Sequence, residues 1–165
     1  MGQEFPSLNQ IESSWAEVSC GFDIDGGELI DETDIAAIKF DDKVSVGTRV
    51  GLSGGLITGS TAGSVESNLS ITFYRAGLRK LKKGLIKKAP LRRGNQRAIS
   101  LVFWNLILQS TPVGDEDIYE HRFKSCRLLG NSYDLKEGSD ADKIEVPCFV
   151  TQIAELIDGE EIVLL

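Results

Sequence analysis

Apolar and polar positions alternate along much of this chain, and that alternation predicts β-strands. The run 15–24 alternates throughout, and Asp25-Gly26-Gly27 then supplies a tight turn. A second long strand is predicted over 35–46, with a bulge near Asp41 and Asp42. Shorter alternating runs cover 68–74, 118–129 and 143–156, while 98–110 is the most apolar run and predicts a strand buried on both faces. These elements predict an antiparallel β-sandwich or barrel.

One segment near the middle of the chain changes from the strand period to the helical period. Over 75–89, Leu78, Leu81, Leu85 and Ile86 recur on one stripe, which predicts an α-helix. Pro90 ends this helix, because proline cannot continue the hydrogen-bond ladder. The predicted fold is therefore mainly β, with one helix inserted near the middle.

Charge is divided unequally between this segment and the rest of the chain. The run 75–97 holds 10 of the 18 basic residues and no acid, so 8 basic and 25 acidic residues remain elsewhere. Such asymmetry indicates a partner surface, which could meet nucleic acid, membrane or protein. The candidate interface residues are Arg75, Arg79, Lys80, Lys82, Lys83, Lys87, Lys88, Arg92, Arg93 and Arg97.

The stretch 47–64 contains six glycines in 18 residues and predicts a long exposed glycine-rich loop or hairpin. It lacks the Gly-Lys-Ser/Thr ending of a phosphate-binding loop and precedes a strand, which argues against nucleotide binding. At 165 residues the chain suits one domain over 15–165, preceded by a polar N-terminal arm over 1–14. No apolar run approaches about 20 residues, so we expect no membrane anchor.

Residues suited to catalysis or metal binding are sparse. His121 is the one histidine and is interpreted as structural, and the segment 23–34 lacks the ligand spacing of a calcium loop. Cys20, Cys126 and Cys148 lie far apart and are interpreted as buried reduced thiols. We therefore expect no enzymatic activity and no cofactor. A monomeric β-barrel that binds nucleic acid through the basic helix remains an alternative.

The order of the predicted elements resembles the tail tube proteins of long-tailed bacteriophages, especially contractile-tailed ones, and of related phage-like injection devices. The resemblance rests on four stretches and covers about 15–156. These are SCGFDIDGGELIDETDIAAIKFDDKVSV, then RVGLSGGLITGSTAG followed by SNLSITFYRAG, then SLVFWNLIL after the helix, and the closing YEHRFKSCRLLGNSYDLKEGSDADKIEVPCFVTQI. The basic helix and the N-terminal arm depart from the family pattern.

The resemblance implies a structural subunit of the virion tail that assembles in the host cytoplasm. Such subunits form hexameric rings that stack into a hollow tube, through which the genome passes. The implied partners are copies of the chain itself, the tail sheath, the baseplate and the tail terminator, with DNA or a tape-measure protein transiently in the lumen. A candidate inter-ring loop comprises Arg49, Leu52, Leu56 and Ile57. Acidic strand faces are expected to line the lumen, and a bacterial secretion tube or a phage-derived injection device is the alternative.

Overall fold

The computed structural model describes residues 18–24, 30, 32–50, 57–110, 118–133 and 142–163. A short first strand and a 3₁₀ turn at Glu32–Asp34 precede two long strands, and the helix follows these directly. The elements are β1 Val18–Asp23, β2 Ile35–Val50, β3 Ile57–Tyr74, α1 Arg75–Lys88, β4 Leu91–Arg92, β5 Gln96–Arg97, β6 Trp104–Ser110, β7 Tyr119–Leu128, β8 Ser132–Tyr133, β9 Lys143–Phe149, β10 Gln152–Ile157 and β11 Glu160–Ile162.

Nine of these strands form one antiparallel sheet. Six of them follow one another in the order β1-β6-β7-β9-β3-β2, and β8, β10 and β11 pair at its side. Strand β7 also pairs with β10, which pairs with β11, while β8 pairs with β9 and β4 with β5 separately. Among the described strands, β1 and β2 do not pair with one another, so the sheet is open. The prediction of a mainly antiparallel β fold with one central helix is confirmed.

The sheet folds over β7 into two layers that face each other. Most of β7 pairs with β6 and β10, whereas Arg127 and Leu128 at its end pair with β9. The ring of Phe40 on β2 lies 5.0 Å from the rings of both His121 and Phe123 on β7, measured between centroids. The two layers therefore enclose a core, and its fully buried members include Phe73, Phe123, Ile71, Leu106, Ile144 and Val146.

Helix α1 covers one end of this core. Leu78, Leu81 and Leu85, which the sequence placed on one stripe, are buried at 3%, 0% and 0% exposure. The predicted fourth member of that stripe, Ile86, is instead 43% exposed and lies on the opposite side of the helix. The helix ends at Lys88, with Ala89 extended before Pro90 as predicted.

A close approach and an ion pair fix α1 to the 3₁₀ turn at Glu32–Asp34. A Cβ atom on Gly77 would lie 2.5 Å from the carbonyl oxygen of Asp34, so only glycine allows the helix this close. One turn later, the Lys80 ammonium donates to the Asp34 carboxylate at 2.6 Å. The Asp34 side chain is only 8% exposed, so the ion pair stabilises a carboxylate that has lost most of its water.

Strands β2 and β3 replace most of the loop predicted over 47–64. Pairing continues from Ile35↔Phe73 out to Val50↔Ile57, which is the hairpin alternative, and 51–56 lies outside the described residues. The glycines are accommodated by irregular pairing, since the register shifts between Ser45 and Gly47 and again between Arg49 and Val50. The bulge predicted near Asp41 and Asp42 is wrong, because pairing is regular there.

Two other strand predictions are wrong in detail. The run 98–110 begins with a 3₁₀ turn at Ile99–Leu101, and β6 then alternates between buried and exposed positions, with Ile107 40% exposed. In β7 the alternation breaks at Ser125, whose φ of 52° forms a bulge that restores Cys126 and Leu128 to the core. The Asn105 side chain accepts from the Ser125 amide at 3.0 Å and so stabilises the bulge.

The last predicted strand, 143–156, divides into β9 and β10 at Val150 and Thr151. The sequence placed Pro147 at an edge or a bulge, but β9 has β3 on one side and β7 and β8 on the other. Pro147 lies in the interval where neither β7 nor β8 pairs with β9, so its missing N–H interrupts no ladder on that side. Residues 15–17 of the first predicted strand lie outside the described part of the chain.

Replacing Lys80 by alanine is expected to lower the free energy of unfolding by roughly 1–3 kcal/mol, because it leaves the Asp34 carboxylate buried without its cation. The matched control is Arg79→Ala, one position away on the exposed side of the helix, with an expected effect within about 0.5 kcal/mol. Urea unfolding measures both. Equal losses for the two variants would contradict a stabilising role for the Lys80–Asp34 pair.

Burial raises the pKa of the Cys126 thiol to about 12, and the neighbouring Cys148 contributes; burial likewise raises the pKa of Cys148 to about 12. Above the unfolded thiol's pKa of about 8.5, the unfolded chain loses this proton while the folded chain keeps it. The contribution to stability is therefore complete below about pH 8.5 and is lost as the pH rises toward 12. Between about pH 9 and 11 we expect a loss of up to about 1.4 kcal/mol per thiol per pH unit.

This loss is measured as the free energy of unfolding against pH, with Cys126→Ala/Cys148→Ala as a control whose slope should be flatter. At pH 8 the half-buried Cys20 should react with a maleimide well before the two buried thiols. Equal reaction rates for all three cysteines in the folded protein would contradict the burial of Cys126 and Cys148.

Candidate assembly surface

Three of the ten basic candidates form ion pairs or hydrogen bonds that help to hold the helix in place. Lys80 is held by Asp34, as described above, and Arg75 forms an exposed ion pair with Asp142 at 3.3 Å. Arg97 donates from Nη1 to the carbonyl oxygens of Ile86 at 3.3 Å and Ala89 at 3.0 Å. Both carbonyls lie at the helix end, where the Ile86 oxygen also accepts from the Ala89 amide at 3.3 Å, so Arg97 acts as a C-terminal cap.

A single exposed surface collects most of the other candidates. Arg79, Lys83, Ile86 and Lys87 follow one another on one side of α1, and the β4–β5 turn adds Leu91, Arg92 and Arg93 just beyond the helix end. All seven residues are exposed, and two of them, Ile86 at 43% and Leu91 at 59%, are aliphatic. We call these seven residues the basic surface. Lys82 is half-buried and Lys88 is exposed near the helix C-terminus.

The candidate inter-ring residues fall on or beyond the β2–β3 hairpin. The backbone of Arg49 pairs with Gly59, and that of Ile57 pairs with Val50. Leu52 and Leu56 lie outside the described residues. Strand β9 pairs with β3 only from Asn68 to Tyr74, so beyond Asn68 no third described strand joins β2 and β3. We call this outer part, 42–50 with 57–67, the distal hairpin.

One side of the distal hairpin carries partly exposed apolar side chains. Phe40 lies just before the distal hairpin on β2, and Val44 and Val46 lie within it on the same side of the strand. That side faces the core nearer the helix, and the three side chains are 37%, 37% and 53% exposed. Asp42 lies between them, and its Oδ1 atom is buried without a hydrogen-bond partner. An apolar face that extends beyond the core of its own chain is typical of a surface that another protein chain covers.

The open strand faces carry acids and bases side by side. On the outward side of β2, β3 and β9 stand Lys39, Asp41, Lys43, Glu66 and Glu145, and Lys43 pairs with Asp41 at 3.2 Å. These described faces are therefore mixed in charge and not uniformly acidic, because alternation in a sequence separates polar from apolar positions but does not sort charges by sign. Which face lines a lumen stays a prediction.

A hydrogen-bonded charge network covers the outer face of the other layer. Glu120 on β7 accepts from Gln109 at 2.7 Å and from Arg122 at 2.5 Å, and these hydrogen bonds lower the pKa of its carboxyl group. Glu161 on β11 accepts from Lys124 and lies 3.9 Å from Arg122. The network joins β6, β7 and β11, so it ties the short last strand to the sheet.

The sequence analysis did not pair the last two strands into the β10–β11 hairpin, although the signal for its turn is present. Asp158 and Gly159 form the turn with φ values of 51° and 82°, the conformation for which Asp-Gly is favoured. The span 152–162 contains Glu155, Asp158, Glu160 and Glu161 and no basic residue. We call it the acidic hairpin.

Sequence analysis also missed an aromatic cluster on the outer face of β7 and β9. The Arg127 guanidinium lies over the rings of Phe103 and Phe149, at 5.8 and 5.0 Å from their centroids. The two rings are 55% and 40% exposed, and the Nε atom of Arg127 is buried without a partner. Register brings these residues together, since Arg127 pairs directly with Phe149 across the strands.

Sites for other chemistry are few in the described ranges. No group of three or more His, Cys, Asp or Glu side chains among them could hold a metal ion. The His121 imidazole packs against Phe40 in the sheet interior. None of the described helical residues form a segment long and apolar enough to cross a membrane.

Comparison with known proteins finds similar structures but no similar sequences. No protein-family model and no curated protein sequence matches the chain. A chain of the anti-feeding prophage cap, described as its tube terminating cap, superposes with a TM-score of 0.61 at 6% identity, covering 88% of this chain and 91% of that chain. A chain of the sheath–tube complex of the PVC extracellular contractile injection system gives 0.58 at 8% identity, covering 84% and 87%.

A chain from the anti-feeding prophage baseplate, in a six-fold symmetrised structure, gives a TM-score of 0.52 at 14% identity, covering 84% of this chain and 90% of that chain. These likenesses span nearly the whole of each chain, so they concern the complete fold and not one hairpin. The resemblance predicted from the sequence is therefore confirmed at the level of the fold: this chain has the tail-tube-like fold found in phage-like injection particles.

Proposed function

We propose that this chain is a structural subunit of the hollow tube of a phage tail or of a phage-like injection particle. In this proposal six copies form a ring, and rings stack into the tube. The observation that carries it is the open sheet, whose end strand β2 runs for 16 residues with a strand partner on one side in the described structure. The fold shared with chains of tube-containing particles supports the same conclusion.

A long unpaired edge favours assembly because it presents a row of backbone donors and acceptors. Such edges attract another strand, and natural proteins cover them or close the sheet into a barrel. A ring of copies closes the sheet by joining β2 of one subunit to the opposite edge of the next. The contact is head-to-tail, and it forms a closed ring when the rotation between neighbouring copies returns to the start after a whole number of copies.

The distal hairpin supplies a second contact that one copy cannot satisfy alone. Its β2 arm runs nine residues from Asp42 to Val50, which corresponds to about 30 Å of strand. Its apolar side, with Val44 and Val46, would be covered by a neighbouring copy. The inter-ring role of Arg49, Leu52, Leu56 and Ile57, in and around this hairpin, is part of the proposal.

Other partners follow from the class of particle. The sheath, baseplate and terminator are the proposed protein partners, and the sheath–tube, baseplate and cap origins of the similar structures support them. DNA or a tape-measure protein would pass through the lumen in a virion, and another cargo in an injection device. The proposed domain is 15–165 with 1–14 as an arm, and the proposed location is the particle tail, assembled in the host cytoplasm.

A structural role without catalysis agrees with the site. The nucleic-acid alternative is weakened, because Arg75, Lys80 and Arg97 are used within the chain to hold Asp142, Asp34 and the helix end. The remaining bases are interleaved with the aliphatic Ile86 and Leu91 and not with aromatic side chains that would stack on bases.

The full chain is expected to sediment as a six-copy particle, and Gly63→Ala is expected to weaken this assembly at least about tenfold. A Cβ atom at Gly63 would lie 1.1 Å from the Ser45 carbonyl oxygen, so the distal hairpin must distort while the core is untouched. The melting temperature should fall by only about 2–4 °C, corresponding to about 1 kcal/mol.

The matched control is Gly21→Ala on β1, where the nearest atom to the new Cβ lies 4.0 Å away. This variant should assemble like the wild type in sedimentation velocity and native mass spectrometry. If Gly63→Ala assembles as well as Gly21→Ala, the distal hairpin is not a subunit contact. If the wild type is monomeric at all concentrations, the tube proposal fails.

A further inference from the structure

The basic surface and the acidic hairpin lie at opposite ends of the body. Helix α1 contacts the 3₁₀ turn that precedes Trp104, the first residue of β6. Strand β7 starts at Tyr119, opposite Ser110 at the other end of β6, and β10 ends beside that start, with Leu156 opposite Glu120. The six residue steps from Trp104 to Ser110 separate the two ends by about 20 Å of strand.

This separation prevents the two surfaces from meeting within one copy, although their charges are opposite. The acidic hairpin holds four acids and no base, and the segment 75–97 holds ten bases and no acid. A translation along the strand direction brings the acidic end of one copy to the basic end of the next. A contact of this kind is heterologous and does not close, so it builds a filament.

Each of the two surfaces also carries two exposed aliphatic side chains. Ile157 and Ile162 flank the turn of the acidic hairpin at 44% and 47% exposure. On the basic surface Ile86 and Leu91 are exposed among the cations at 43% and 59%. Each surface thus has two aliphatic side chains surrounded by charged residues of one sign. When the two surfaces face each other, they form an apolar centre with a charged rim.

We propose that the acidic hairpin of one copy docks on the basic surface of a second copy, and that this contact joins successive rings. The inference rests on the proposed tube function and adds the residues that stack it. The turn at Asp158 and Gly159 presents Asp158 and Glu160 in a fixed conformation, so little ordering is required on docking. Arg79 and Arg93 are the exposed cations we assign to these carboxylates.

The test is a charge exchange in the full chain. Arg79→Glu/Arg93→Glu on one surface, or Asp158→Asn/Glu160→Arg on the other, should each raise the protein concentration needed for stacking at least about tenfold, leaving single rings intact. A chain with all four substitutions should stack within about threefold of the wild type, because Glu160→Arg supplies a cation for the two reversed positions and Asp158→Asn removes a carboxylate that would repel them. Negative-stain microscopy counts single and stacked rings, and sedimentation gives the concentration dependence.

The control is Arg79→Lys/Arg93→Lys, which keeps the charge and should stack like the wild type. Carbodiimide coupling of a mixture of isotope-labelled and unlabelled wild-type chains should link Lys83 or Lys87 of one copy to Asp158 or Glu160 of another. Normal stacking by both reversed variants, or no rescue by the exchange, would overturn this inference while rings still support the tube. Absence of rings in the wild type would instead contradict the proposed function.

Discussion

The long edge of β2 is the constraint on which the rest of this structure depends. Backbone N–H and C=O groups must be paired, and β2 has β3 on one side and no described strand on the other, so its outer edge is a template for another strand. Within the chain, the two layers fold over β7 and place Phe40 against Phe123, which fixes where β2 starts. The strand then runs beyond the body, so the same packing that builds the core also exposes the edge.

The end of the body near α1 is rigid in a way that suits a contact surface. Gly77 allows the backbone of the helix to approach Asp34, Lys80 neutralises that carboxylate, and Arg97 caps the final turn. These three interactions orient the helix so that its leucines are buried and its remaining cations face outward together. A charged surface held by a fixed scaffold loses less conformational entropy on binding than one on a mobile segment.

Much of this fold is predictable from the sequence, because the spacing of apolar residues indicates which side of a strand or helix is buried. The switch from alternation in β3 to helical spacing at Arg75 located α1 to within a residue, and the Asp-Gly pair at 158–159 signalled a hairpin that went unrecognised. Glycine content left both a loop and a hairpin open for 47–64, because glycine weakens a strand's own preference but does not prevent pairing with a partner such as β2. The apolar run 98–110 misled in another way, since exposed Phe103 and Ile107 mimic core residues.

The sequence predicts which segment carries the basic residues, but not which of those residues bind within the chain and which face outward. A count of charges identified 75–97, yet it could not distinguish Lys80, which binds the buried Asp34, from Arg79, which faces outward. That distinction depends on which turn packs beneath the helix, a contact between residues 46 positions apart. The Phe103–Arg127–Phe149 cluster and the bulge at Ser125 likewise arise from cross-strand register, which short-range pattern does not fix.

Negative-stain electron microscopy of the purified wild-type chain, over a wide range of protein concentration, tests the central claim most directly. The account predicts six-fold rings with a central hole, which join into tubes as the concentration rises. Uniform particles of monomer size at every concentration would contradict it, because the edge of β2 would then be stable without a neighbour.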